Sequence, residues 1–222
     1  MNEARIVSVR TGVVREWPRP EWDRQHGATW TTAYHKDEVP GPVRAGVLGL
    51  EGDEQASRDV HGGPFMALLA YATSNYVLWR AEPLLAAMGP GAFGENLALE
   101  GPDESGVCIG DVWETEGASF AVTQPRGPCA AISRVWNVRD LMQRAVETVR
   151  IGWYLRVTRE GTIARGETLR LSDRPHPQWT VARVFRLRIG AETDSTALAA
   201  LTKLEALSPG WRAKFEALAA KS

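Results

Sequence analysis

The strongest constraint on this chain is how often its β-rich runs are broken. Short runs at 6–10, 43–48, 66–71, 120–123 and 152–158 are separated by clusters of Gly, Pro and Asp. Strands this short, at this spacing, favour an all-β barrel or sandwich over a parallel α/β sheet. Two helices interrupt the pattern. One is expected across 74–88, capped by Ser74, with Val77 and Trp79 in its apolar part and Pro83 kinking or splitting it. The other runs over 138–149, where Leu141, Met142, Ala145 and Val149 share a face at helical period.

The pattern changes after Arg174-Pro175-His176-Pro177, which reads as a linker. Three short helices follow. Thr180 caps the first and Gly190 closes it. Ser195 or Thr196 starts the second. Ser208-Pro209 supplies a cap and a first-turn proline for the third, which carries Trp211, Phe215 and Leu218 at i, i+4, i+7. The expected architecture is therefore mainly β: a barrel-like domain over 1–178 with a few helices, and a small three-helix unit over 179–222. So short a unit holds little core of its own and is expected to pack on the barrel or on another subunit.

Charge excludes some partners. With 26 basic and 27 acidic residues among 222 the net charge is −1, so no nucleic acid polymer is expected as a ligand. The cations are almost all arginines, with lysine only at 36, 203, 214 and 221. Converging arginines grip phosphate bidentately in a way lysine does not. The first fifteen residues lack the apolar core of a secretory signal, and no apolar run approaches the length needed to cross a bilayer. Two cysteines 21 positions apart suggest neither a disulfide framework nor a paired zinc site. The expectation is a soluble cytoplasmic protein with no membrane partner.

Chemistry concentrates in a few motifs. Gln124-Pro125-Arg126-Gly127-Pro128-Cys129 places a thiol on a proline-stiffened turn directly after a strand. Arg126 and Arg134 flank it, and a cationic neighbourhood raises the thiolate fraction. A thiolate can ligate a metal or carry a persulfide. Cys108, among apolar neighbours, reads instead as a small core residue. Upstream, Asp53 ends a turn-rich segment, and eight residues later His61-Gly62-Gly63-Pro64 offers a histidine on a glycine turn open to close approach. Gly94-Glu95-Asn96-Leu97 sets an acid beside an amide, either as a loop anchor or as a partner for the edge of a heterocycle. Gly110-Asp111 closes a strand with a tight turn.

Residues 48–64, 94–97, Gly110-Asp111, the Gln124–Cys129 motif and Gly152-Trp153-Tyr154 together resemble the MOSC domain, named for the C-terminal part of molybdenum cofactor sulfurases. The tail, with Ser208-Pro209-Gly210-Trp211-Arg212, resembles the three-helix domain of the YiiM-type subgroup. The resemblance implies a barrel whose pocket binds a molybdopterin-type molybdenum cofactor, with Cys129 as the protein ligand to molybdenum. It also implies reduction of small N-hydroxylated compounds such as hydroxylaminopurine-type base analogues. Electrons would come from a separate flavin or iron–sulfur reductase, since the chain has no cluster motif or dinucleotide fingerprint. Other relatives handle sulfur for cofactor maturation, some fused to a pyridoxal-phosphate domain.

On this reading Lys36, Arg58, Arg126 and Arg134 are the cations for the cofactor phosphate, and Glu95, Asn96 and Gln124 meet its pterin ring. Gly62 and Gly63 give it close approach, while His61 or Asp53 donates or orients a proton beside Cys129. Two readings compete with this one: a sulfurtransferase carrying a persulfide on Cys129, and a non-catalytic cofactor carrier. A homodimer is left open. The chain departs from the subgroup at Phe65-Met66, where many members carry Asp-Lys. It departs again at Tyr71, where a histidine is half expected, so an altered pocket lining is anticipated.

Overall fold

The computed structural model describes residues 2–57, 61–127 and 129–220. Its strands in chain order are β1 (Glu3–Thr11), β2 (Arg15–Pro18), β3 (Thr29–Thr32), β4 (Asp37–Glu38), β5 (Val43–Gly46), β6 (Gly49–Leu50), β7 (Leu68–Ala72), β8 (Leu97–Glu100), β9 (Val112–Glu114), β10 (Ser119–Pro125), β11 (Trp153–Arg159), β12 (Gly161–Ile163) and β13 (Thr168–Asp173). The helices are α1 (Thr73–Trp79), α2 (Ala131–Trp136), α3 (Leu141–Thr148), α4 (Val181–Ile189), α5 (Ser195–Thr202) and α6 (Pro209–Ala219).

Among the described residues, seven strands close into a barrel in the order β13-β9-β10-β11-β7-β8-β1, with β1 pairing back onto β13. All pairs are antiparallel except β7 with β8, which run parallel around Ala70 and Leu97. Closure leaves these strands no open edge. A second sheet, β12-β5-β6, and a two-stranded ribbon, β2-β3, lie outside it. In the ribbon Trp17 sits opposite Trp30, and Arg15 opposite Thr32.

The core follows from strand alternation. Ile6, Leu97, Phe120, Val122 and Leu155 are buried in a cluster that continues without a break into Val181, Phe185, Leu201 and Phe215 of α4, α5 and α6. Phe185 and Phe215 are almost wholly buried, each contributing about 2–3 kcal/mol through lost apolar exposure. The helical unit thus packs on the barrel. Val181 N–H donates to Val107 O at 2.9 Å, Ala182 N–H to Glu104 O at 2.8 Å and Ser208 N–H to Thr123 O at 3.3 Å. The 174–177 stretch is pinned rather than loose: Arg174 grips the buried Asp111 carboxylate through both oxygens, at 2.8 and 2.6 Å. A second aromatic cluster of Tyr71, Tyr76, Trp79, Met88, Phe93 and Leu141 covers one side of the barrel.

Several local expectations change. The 74–88 helix is α1 followed by a single turn at Pro83–Leu85, so Pro83 does split it, but Ser74 makes no cap bond and Val77 is 65 % exposed. Of its expected apolar residues only Trp79 points inward. The strand expected from Met66 begins at Leu68, because Pro64–Met66 forms a helical turn. Thr180 and Ser208 cap as expected, accepting from Arg183 N–H and Trp211 N–H. The α5 cap is Asp194, one residue earlier than expected, and it accepts from Ala197 N–H. Cys108 is buried, as its apolar neighbours suggest. Among the described residues no helix is long and apolar enough to cross a membrane.

Candidate functional site

A cavity of about 400 Å³ opens beside the end of β10, bounded by the β2-β3 ribbon, the segment before β7 and the start of α2. Its position follows from the chain order. Strand β10 runs from the core to Pro125, and Arg126 then turns into the cavity wall, its N–H held by Gly152 O at 3.0 Å. Gly152 has φ +78°, and a Cβ there would lie 2.5 Å from Ala70 O, so the turn needs glycine. Its own N–H donates to the buried Glu104 carboxylate at 2.7 Å, which Asn75 also holds. Burial raises the Glu104 pKa, while these bonds work against the rise. One residue past the buried Trp153, strand alternation turns Tyr154 to the cavity.

Arg126 is the electrostatic centre. The residue is only 8 % exposed, yet its guanidinium lines the cavity. Burial disfavours its charge, but the surrounding Tyr34, Tyr154 and Cys129 groups raise its pKa, so it remains a cation. It lies 5.8 Å from the Tyr34 ring centroid and 6.0 Å from that of Phe93. Among the described residues no carboxylate forms an ion pair with it. Burial also pushes the Tyr34 phenol far above its ordinary range; its hydroxyl donates to Ala92 O at 3.1 Å.

Cys129 faces the same cavity. Burial by itself would raise its pKa. A hydrogen bond from His61, the Arg126 charge and the Ala131 N–H at the start of α2 outweigh that and bring it down to about 7. Near neutral pH the group is therefore substantially thiolate.

A different pair of charges forms the floor. Lys36 and Asp53 make a buried ion pair, and Asp53 also accepts from Gly12 N–H at 2.8 Å and Asn96 Nδ2 at 2.8 Å. Burial lowers the Lys36 pKa against the pull of Asp53. Asn96 Nδ2 donates as well to Arg10 O at 3.1 Å, and its Oδ1 accepts from Leu69 N–H at 3.0 Å, stitching β7 to β1. At the rim Arg134 and Arg19 share the Asp23 carboxylate at 2.6 and 2.5 Å, and Arg134 lies 5.2 Å from the Trp30 ring centroid. Burial would raise the Asp23 pKa, but the two guanidiniums hold it below the usual carboxylate range.

The structure brings Lys36, Asp53, His61, Gly62, Asn96, Arg126, Cys129 and Arg134 to one cavity wall. Three expected contacts are not there. Glu95 is fully buried and occupied by Tyr76 O–H, Gly91 N–H and Phe93 N–H, so it pins its own turn. Gln124 is buried on β10 away from the lining, and Gly63 precedes the Pro64–Met66 turn without reaching the wall. Arg58 lies outside the described residues. Asp53 has both oxygens bound, which suits orientation of Lys36 better than proton donation. Met66 does line the cavity, whereas Tyr71 belongs to the aromatic cluster, bonded to Trp79 Nε1 at 2.8 Å and to Arg150 O at 3.3 Å. Sequence reasoning missed Tyr34, Trp30, Arg19 and Asp23. Tyr154 stands in the Gly152-Trp153-Tyr154 motif, which assigns it no role. Alternation along β11 was the available signal for it; the ribbon residues carry no local one.

Comparison with known proteins shows the family of this chain. The family described as MOSC domain matches residues 57–170, and the YiiM-like, 3-alpha helix domain matches 179–221. Protein YiiM of Escherichia coli is 36 % identical over 171 residues, covering 76 % of this chain and 72 % of that one. A protein of Gibberella moniliformis named Reductase is 35 % identical over 181 residues, or 80 % of this chain; this chain spans about a third, 32 %, of that longer protein. The crystal structure of YiiM from Geobacillus stearothermophilus superposes with a TM-score of 0.78 at 27 % identity, covering 97 % of this chain and 99 % of that one. The chain belongs to the MOSC domain family, in its YiiM-like branch with a C-terminal three-helix domain.

Proposed function

We propose that this protein is a molybdenum-cofactor oxidoreductase that reduces small N-hydroxylated compounds, with Cys129 as the protein ligand to molybdenum. One observation carries the reading: a buried Arg126 guanidinium, without a carboxylate partner among the described residues, lies beside a thiol whose pKa is about 7, both facing one open cavity. A buried cation with no ionic partner among the described residues suits an anionic ligand, and a thiolate suits a soft or high-valent metal.

The residues fit such a cofactor. Arg126 and Arg134 would hold its phosphate, Tyr34, Tyr154 and Trp30 would flank its planar rings, and Cys129 would ligate the metal. When bound, the cofactor supplies two-electron oxygen-atom chemistry. The chain supplies the rest. Converting an N-hydroxyl group to an amine and water consumes protons, and His61, hydrogen-bonded to Cys129 on the cavity wall, is the group placed to hold one. The Lys36–Asp53 pair fixes the floor so that a substrate meets a preset charge pattern. The Reductase name of one relative supports the oxidoreductase class. Electrons would come from a separate flavin or iron–sulfur protein.

The lowered thiol pKa also favours the sulfurtransferase reading, in which Cys129 carries a persulfide. The discriminating assay is reduction of 6-hydroxylaminopurine by protein from a molybdenum-replete host, with a chemical reductant as donor. Turnover that disappears in Cys129→Ser supports the oxidoreductase. Persulfide on Cys129 in metal-free protein supports sulfur transfer, and bound cofactor without turnover supports a carrier.

A further inference from the structure

We propose a second small-molecule site, for a phosphorylated planar heterocycle, across the Tyr34-His35-Lys36 segment from Cys129. A cavity of about 420 Å³ opens there, within the size range of sites that enclose small ligands. Of the described residues it shares only Lys36 with the Cys129 cavity.

Its walls combine two kinds of chemistry. Trp17 of the ribbon is stacked on His35, ring centroids 3.6 Å apart and planes 23° off parallel. Trp136 closes another side, its indole N–H fixed on Ala92 O at 2.9 Å. These are rigid aromatic surfaces on which a flat ring can stack.

Arg10 and Arg15 supply the charge. Neither forms an ion pair with a carboxylate among the described residues, and Asp37 is the sole acid on the described wall. Arg10 is held in place by Nε donating to Lys36 O at 2.8 Å, with Nη1 3.5 Å from Ser8 Oγ, which leaves further N–H groups for a ligand. Its position depends on Gly91, at φ +95°, whose missing Cβ would lie 2.6 Å from Arg10 Nε. A guanidinium fork matches phosphate, and indole faces match a heterocycle.

Flavin mononucleotide and adenosine monophosphate share this chemistry, and the site is independent of the molybdenum reading. A flavin bound there would lie one residue from the Cys129 cavity, since His35 and Tyr34 have ring centroids 6.2 Å apart and Tyr34 lines that cavity.

The test is titration of the full chain with flavin mononucleotide by fluorescence, and with adenosine monophosphate by calorimetry. We expect saturable binding of at least one probe, weakened about tenfold or more in Trp17→Ala and in Arg15→Gln, the scale of losing one stacked ring or one charge-assisted contact. Arg15 is exposed, so its variant keeps the fold. Binding should be unchanged in Cys129→Ser and Arg126→Gln, and riboflavin or adenosine, lacking phosphate, should bind markedly less well. The stronger probe identifies the ring preferred. Absence of saturation by either probe at millimolar concentration overturns the proposal. So does binding lost in Arg126→Gln but kept in Trp17→Ala, which would place the probe in the other cavity, and so does equal affinity for riboflavin and its phosphate.

Discussion

His61 and Cys129 are hydrogen-bonded at the cavity wall, one from the segment before β7 and the other from the loop after β10. That bond, with the Arg126 charge, brings the thiol to about 7 against a burial that pushes the other way. Iodoacetamide alkylation of Cys129 should therefore titrate with a midpoint near 7. In His61→Ala the midpoint should move up towards the ordinary thiol value of about 8.5. Mass spectrometry of the labelled peptide against pH measures both.

The same shift makes stability depend on pH. The folded pKa lies below the unfolded one, so between the two the unfolded chain binds more protons. The contribution, about 2 kcal/mol, is complete above roughly pH 8.5 and is lost as pH falls through about 7. Urea titrations at several pH values should show wild type losing this increment over that window, and Cys129→Ser not losing it.

Lys36 and Asp53 are a buried pair that tolerates asymmetric loss poorly. Asp53→Ala strands a buried ammonium and should cost about 3–5 kcal/mol. Lys36→Met should cost less, because Asp53 keeps its bonds from Gly12 N–H and Asn96. Equal losses in chemical denaturation would mean that the pair does not carry this part of the wall.

Arg126 predicts a ligand effect. Inorganic phosphate should raise the thermal midpoint of wild type, because a ligand bound to the folded state stabilises it. Arg126→Gln should show a clearly smaller rise, and its own stability should stay within about 1–2 kcal/mol of wild type, since it removes a buried charge with no ionic partner among the described residues.

Gly152 couples the barrel to the site. Gly152→Ala forces a side chain into a positive-φ turn 2.5 Å from Ala70 O. It should cost at least about 2 kcal/mol and disturb both neighbours that depend on the turn, Arg126 and Tyr154. Reduced phosphate binding alongside the lower denaturation midpoint would distinguish this from a purely global effect.

Much of this was legible because its causes are local. Thr180 and Ser208 announce helix starts through bonds spanning three residues, and the Gln124–Cys129 motif stands out in the sequence by its prolines. Asp194, Ser195 and Thr196 all carry capping side chains, and sequence does not rank such adjacent candidates. Glu95 lies away from the expected wall for a different reason. An acid beside an amide does not show which side chain faces a cavity, and here the turn itself consumes the acid while Asn96 reaches the wall. Trp30 and Asp23 were invisible because they reach the site through the ribbon, Asp23 meeting Arg134 across 111 positions of chain. Such pairings exist only after the barrel closes.

The most direct test of the account is the molybdenum content of protein purified from a molybdenum-replete host, measured by plasma mass spectrometry. The account predicts close to one molybdenum per chain in wild type and a sharp fall in both Cys129→Ser and Arg126→Gln. Wild-type protein free of molybdenum, or metal retained at full level in Cys129→Ser, would contradict it.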